Sequence, residues 1–181
     1  EEIRTSRATF TAPELAAFFA PLQERFSAWI SKIARCRASR DASLAALDFP
    51  FPAWRPGQRA LADATTDAIR AGGHLFAEAP TGVGKTVSVL WPALLALGSG
   101  ACDSIAFLTA RTTGRAIAED TIARMRDRGL CLKALTLTAR DRICFADGER
   151  CDPTSCAYAL GYYDRLPAAR DDALASDDWD R

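Results

Sequence analysis

Eight consecutive residues, Ala79-Pro80-Thr81-Gly82-Val83-Gly84-Lys85-Thr86, have the types and spacing needed to hold the phosphates of a nucleotide. Glycines at 82 and 84 permit a tight turn whose backbone N–H groups converge on phosphate oxygens. A helix opening at the end of that turn directs its positive N-terminus at the same anion. Lys85 would neutralise charge on the β- and γ-phosphates, and the Thr86 hydroxyl would ligate Mg²⁺. The general pattern begins with glycine, whereas Ala79 stands in that place. The flanks nevertheless suit the loop, because an apolar run at 75–77 precedes it and a helix-like run at 87–97 follows. ATP or GTP is the ligand this stretch predicts, with Thr81, Gly82, Val83, Gly84, Lys85 and Thr86 as the contacting residues.

Three other groups of residues could do chemistry. Gln58, in Arg55-Pro56-Gly57-Gln58, carries one amide donor and one acceptor that match an adenine edge, which would make the site selective for ATP. Thr109-Ala110-Arg111-Thr112-Thr113-Gly114-Arg115 follows an expected strand at its carboxyl end, where open α/β sheets place their binding loops. Thr109, Arg111 and Thr112 there could grip a phosphodiester backbone without reading sequence, or the segment is an ordinary helix cap with solvated arginines. Cys144, Cys151 and Cys156 have the spacing Cys-x6-Cys-x4-Cys, and clustered thiols in a cytosolic chain suggest metal rather than a disulfide. Zinc or an iron-sulfur cluster normally takes four cysteines, so this group is one short. Cys36, Cys102 and Cys131 read as small apolar residues, and the single histidine, His74, is assigned no role.

The elements that must position these groups can be read from periodicity. Thr11-Ala12-Pro13-Glu14 is a helix start, with Leu15, Phe18, Phe19, Leu22, Phe26, Trp29, Ile30 and Ile33 at helical spacing behind it; Pro21 leaves open one helix or two. Proline and glycine across 49–58 mark a boundary. Helices are expected at 59–71, 87–97 and 113–128, and strands at 75–77, 104–108 and 130–137, giving a β-α-β-α-β order and parallel pairing. The expected organisation is therefore a helical appendage at 1–48, a P-loop α/β domain with a parallel sheet at 49–139, and a Cys-rich segment at 140–181. The 181 residues carry 23 basic and 23 acidic side chains, so no global charge announces a polyanion partner. With no apolar run of the ~18 residues a membrane span needs and no signal-like leader, the cytoplasm is the expected compartment and no membrane partner is expected.

Five blocks in order, namely 49–58, 79–86, 108–112, 137–144 and 156–165, resemble the XPD/DinG-like iron-sulfur helicases of superfamily 2, in particular their bacterial branch. The resemblance covers about two thirds of the chain. It implies an ATP-dependent, 5′ to 3′ helicase that moves on single-stranded DNA or DNA junctions. Gln58 would read adenine, with Phe51, Trp54 or Arg55 packing the base. Thr109, Arg111, Thr112 and Arg140 would hold the strand, and Cys144, Cys151 and Cys156 would be three ligands of a [4Fe-4S] cluster whose fourth lies beyond this chain. It also implies that 49–139 is an incomplete α/β domain of the RecA-like P-loop type and 140–181 the opening of a cluster-bearing, Cys-rich insertion, so that the chain is a fragment without the Asp-Glu-Ala-His box and the second motor domain, and is inactive as a helicase by itself. Two other readings stay open: a P-loop phosphotransferase or kinase with structural zinc, and a zinc-stabilised nucleic-acid-binding module.

Overall fold

The computed structural model describes residues 7–110, 112–139, 142–146 and 152–175. The chain forms two compact units, Glu1–Cys131 and Leu132–Arg181. Four helices build the first: α1 (Ala12–Ala46), α2 (Gln58–Ala71), α3 (Lys85–Gly98) and α4 (Thr112–Arg126); α5 (Tyr162–Ala175) lies in the second.

The start of α1 is fixed by its sequence. Thr11 Oγ1 accepts from the Glu14 backbone N–H at 3.4 Å while the Glu14 carboxylate accepts from the Thr11 backbone N–H at 2.7 Å, so two N–H groups at the helix start are satisfied reciprocally. Those bonds favour the ionised carboxylate, and they hold Glu14 below its ordinary pKa. The helix then runs unbroken for 35 residues with Pro21 inside it, so the first region is one helix. The proline ring removes the bond to the Ala17 carbonyl, and Ala17 is exposed, where water can hydrate that oxygen. Leu44, near the far end, is the buried residue of α1.

Helix α3 is the centre of the first unit, packing against α1, α2 and α4. It buries Val87, Leu90, Trp91, Leu94 and Leu97, so it is apolar around most of its circumference, as a central helix must be. Leu44 of α1 lies so close to Gly98 that a Cβ at 98 would fall 2.8 Å from the Leu44 Cβ. Ala62 and Thr65 of α2, with Ala118 and Met125 of α4, supply the other buried faces. Beyond α4 the chain returns to the α1 end: Arg128 Nη1 donates to the Phe49 carbonyl at 3.1 Å, and the Cys131 backbone N–H to Ser43 Oγ at 2.9 Å. Cys131 is therefore exposed at a backbone junction rather than a small core residue.

The α/β expectation is overturned. Among the described residues there is no strand, and the architecture is helical. Residues 75–77, 104–108 and 130–137 are non-helical chain without ladder partners. A parallel sheet is covered on both faces, yet Phe76 is 97 %, Leu108 90 % and Leu137 85 % exposed. Short apolar runs carry the composition of buried strands, but a strand exists only through pairing, and here the helices pack directly on one another. Beside the first of these runs a cavity of about 380 Å³ opens between α2, α3 and residues 73–77, lined by Leu61, Ile69, Leu75 and Val89. The helix expectations for this unit hold: 59–71 is α2, 87–97 lies within α3, and 113–128 overlaps α4.

In the second unit, Asp152 Oδ1 accepts from the Thr154 backbone N–H at 2.9 Å and from its hydroxyl at 2.7 Å, an Asx turn that lowers the Asp152 pKa. Phe145 and Tyr158 meet with ring centroids 5.7 Å apart, and Arg165 Nη2 donates to the Tyr158 carbonyl at 3.0 Å. Helix α5, which carries no strong sequence signature, buries none of its residues.

Candidate functional site

The loop at 79–86 has the backbone that its glycines suggest. Gly82 (φ 84°) and Gly84 (φ 89°) are both left-handed, a region side chains with a Cβ enter only with strain. Gly84 is also the N-cap of α3, so Lys85 and Thr86 are the first two residues of that helix, where unpaired N–H groups and the helix dipole favour an anion. The Lys85 ammonium donates to the Ala79 and Pro80 carbonyls, both at 2.8 Å, spanning the loop. Thr86 is half-buried beside it. These donors fit a polyphosphate, and the Thr86 hydroxyl fits one position on an accompanying Mg²⁺.

Gln58 and Arg55 are separate from this loop in sequence and part of it in space. Gln58 opens α2, is only 3 % exposed, and presses its Nε2 against Gly84 at the place a Cβ would occupy. Its Oε1 accepts from the Arg55 backbone N–H at 2.9 Å. A backbone N–H can only donate, so this bond fixes the amide orientation and turns the NH₂ toward the loop. Arg55 Nη1 donates to the Gly82 carbonyl at 2.7 Å. Arg55, expected near the base, is thus a brace on the phosphate loop itself.

Trp54, by contrast, belongs to an aromatic group. It stacks on Phe49 (centroids 3.7 Å apart, planes at 14°), Phe49 meets Phe51 at 5.8 Å, and Phe49 meets Trp91 of α3 edge-on at 5.7 Å. Arg59 places its guanidinium 5.4 Å from the centre of the Trp54 ring. Sequence reasoning missed Arg59, whose signal was its position one residue after Gln58 on the exposed face of α2. The Phe49-Pro50-Phe51 run anchors the linker into α3 through Trp91, which is how Gln58 is delivered to Gly84.

The expected strand-gripping residues are partly placed. Thr112 is the first residue of α4, and Thr109 packs its hydroxyl against Gly114 in the first turn of that helix. Arg111 and Arg140 lie outside the described residues. Of the cysteines, Cys144 is exposed and Cys156 buried, and Cys151 lies outside the described residues. The Phe145–Tyr158 contact ties together the two segments that carry Cys144 and Cys156. Among the described residues no three candidate ligands gather into a metal site.

Among the described residues, no helix is long and apolar enough to cross a membrane. Comparison of the chain with protein-family models, with curated proteins and with solved structures finds no match.

Proposed function

We propose that this chain is the nucleotide-binding part of an ATP-dependent DNA helicase, holding Mg·ATP at residues 79–86 and single-stranded DNA near the start of α4. The observation that supports the reading best is the meeting of Gln58 with Gly84. A glutamine 26 residues upstream of Gly84, from a different helix, is buried against that glycine, which turns the chain into α3. A glycine-rich turn with a merely structural role would need no such partner.

In this reading Gly82 and Gly84 present backbone N–H groups to the phosphates, the Lys85 ammonium leaves the Ala79 and Pro80 carbonyls for phosphate oxygens, and Thr86 holds Mg²⁺. Bound ATP supplies the phosphoanhydride whose cleavage drives translocation. Arg55 keeps the turn in shape from the Gly82 side, and the Gln58 amide reads the adenine edge, its NH₂ donating to a ring nitrogen and the second lone pair of its Oε1 accepting from the 6-amino group. The Thr109 and Thr112 hydroxyls, with Arg111 and Arg140, hold DNA phosphates. A [4Fe-4S] cluster on Cys144, Cys151 and Cys156 is part of the same proposal and rests on their spacing alone.

Titration of the chain with a fluorescent ATP analogue and Mg²⁺, with GTP as competitor, tests the nucleotide site. Binding that ATP displaces at least ~10-fold better than GTP, and that Lys85→Ala weakens by roughly 10- to 100-fold through loss of charge-assisted bonds, is the expected result. Fluorescence anisotropy with labelled single-stranded DNA should show binding that Lys85→Ala leaves intact. No detectable ATP binding, or identical affinities for wild type and Lys85→Ala, would refute the proposal.

A further inference from the structure

Residues 15–33 of α1 present an apolar stripe that the first unit leaves open. Leu15, Phe18, Phe19, Leu22, Phe26 and Ile30 are between 42 % and 64 % exposed, while Trp29 and Ile33 are half-buried on the same face. At helical spacing all eight fall within a sector about 120° wide, the width of a packing face rather than of scattered surface residues. Phe18 and Phe19 already meet edge to face, with centroids 5.2 Å apart.

The order along the stripe says what covers it. Leu15 and Ile33, Phe18 and Ile30, Phe19 and Trp29, and Leu22 and Phe26 stand at equal distances on either side of Glu24. A stripe with that internal symmetry is complementary to itself in the antiparallel sense: laid against a second copy about a two-fold axis at Glu24, each large side chain meets the one that mirrors it. This is the isologous arrangement of a two-fold dimer. A parallel pair would align each residue with itself, bringing Lys32 against Lys32 and Arg37 against Arg37. The antiparallel register instead sets Glu14 of each copy beside the Lys32 to Arg35 turn of the other.

Area agrees. At ~150–250 Å² for a fully buried aromatic, the exposed fractions above amount to roughly 600 Å² of apolar surface per copy. With the flanking polar side chains this approaches the ~800 Å² per partner of a stable complex, and it reaches the largest patch ordinarily left open on a monomer, ~300–600 Å². We infer that α1 is a self-association helix through which two copies of this chain pair antiparallel, centred on Glu24. The inference stands apart from the nucleotide-site reading and would survive its failure.

Sedimentation analysis of the chain across roughly 1–100 µM should show a monomer–dimer equilibrium. The double variant Phe18→Glu/Phe26→Glu should weaken it by about 100-fold or more while leaving unchanged the helical circular dichroism and, at concentrations where the wild type is itself monomeric, the thermal transition of the unit, since neither side chain is in the core. Register is read separately by zero-length carbodiimide cross-linking of a mixture of ¹⁴N- and ¹⁵N-labelled chains. Lys32 and Glu14 are eighteen residues apart on one helix, about 27 Å along its axis, so they cannot be joined within a copy. A mixed-isotope Lys32–Glu14 link is expected. A chain that stays monomeric across the range, a dimer that persists in the double variant, or a dimer without that link would overturn the inference.

Discussion

Gly84→Ala measures the contact on which the site depends. The Ala would have to adopt φ near +89°, at a cost of roughly 1–2 kcal/mol for a non-glycine residue in the left-handed region. Its Cβ would also land on Gln58 Nε2 and stand 3.4 Å from Gln58 Cδ, so the amide must move. Moving it breaks the bond to the Arg55 N–H, worth about 1 kcal/mol, and strands part of a polar group at a site 3 % exposed, for about 1 kcal/mol more. The sum is about 3–4 kcal/mol. Gly82→Ala is the matched control: φ is +84°, but nothing lies within 4 Å of its Cβ, so only the backbone strain of roughly 1–2 kcal/mol applies. At about 4 °C per kcal/mol for a unit of this size, thermal unfolding followed by circular dichroism should show Gly84→Ala melting about 12–16 °C below wild type and Gly82→Ala about 4–8 °C below. In a Gln58→Ala background the extra penalty at 84 should vanish, leaving Gly84→Ala no worse than Gly82→Ala. Two glycine variants that melt within ~2 °C of each other in the wild-type background would refute the claim that Gln58 is held by the loop.

Three further outcomes are expected. Leu44→Ala should lower stability by about 2–5 kcal/mol in urea unfolding, because Leu44 is 2 % exposed against Gly98, whereas Leu22→Ala, on the open stripe, should change it by less than ~0.5 kcal/mol at concentrations where the chain is monomeric. The Glu14 carboxylate is held below its ordinary value of 4.5 by the Thr11 N–H and hydroxyl. Its contribution is therefore complete above that value and lost as pH falls through the depressed one, so exchange protection at the start of α1 should decline in acid, and Glu14→Gln should abolish that pH dependence. Iron and acid-labile sulfide measured on protein purified without oxygen should come to about four each per chain in a version carrying all the ligands. Zinc without sulfide, or no metal, would remove the cluster from the proposal.

How far the structure was legible varies by element. The α1 start needed only Thr11 and Glu14, because a capping box is satisfied within four residues. Helices α2 and α3 were legible from Gly72, which stops α2 in a left-handed cap, and from the dense apolar run after Lys85. Residues 75–77, 104–108 and 130–137 misled because strand formation depends on a partner remote in sequence, which no local pattern reports. Helix α5 was missed because it has no buried residue to impose periodicity. At the site, the loop's backbone followed from two glycines. The role of Arg55 on the Gly82 carbonyl was not legible, since a guanidinium 27 residues away can be aimed only once α2 and α3 have packed.

Lys85 braces the loop to which it belongs. With its ammonium on two carbonyls and Arg55 on a third, the turn is held in shape by internal cations before any anion arrives. Ordering of the loop is accomplished during folding and need not be repeated at each encounter with a ligand. Polyphosphates should therefore associate at rates set by diffusion and charge, and the discrimination among them should lie in how long each remains.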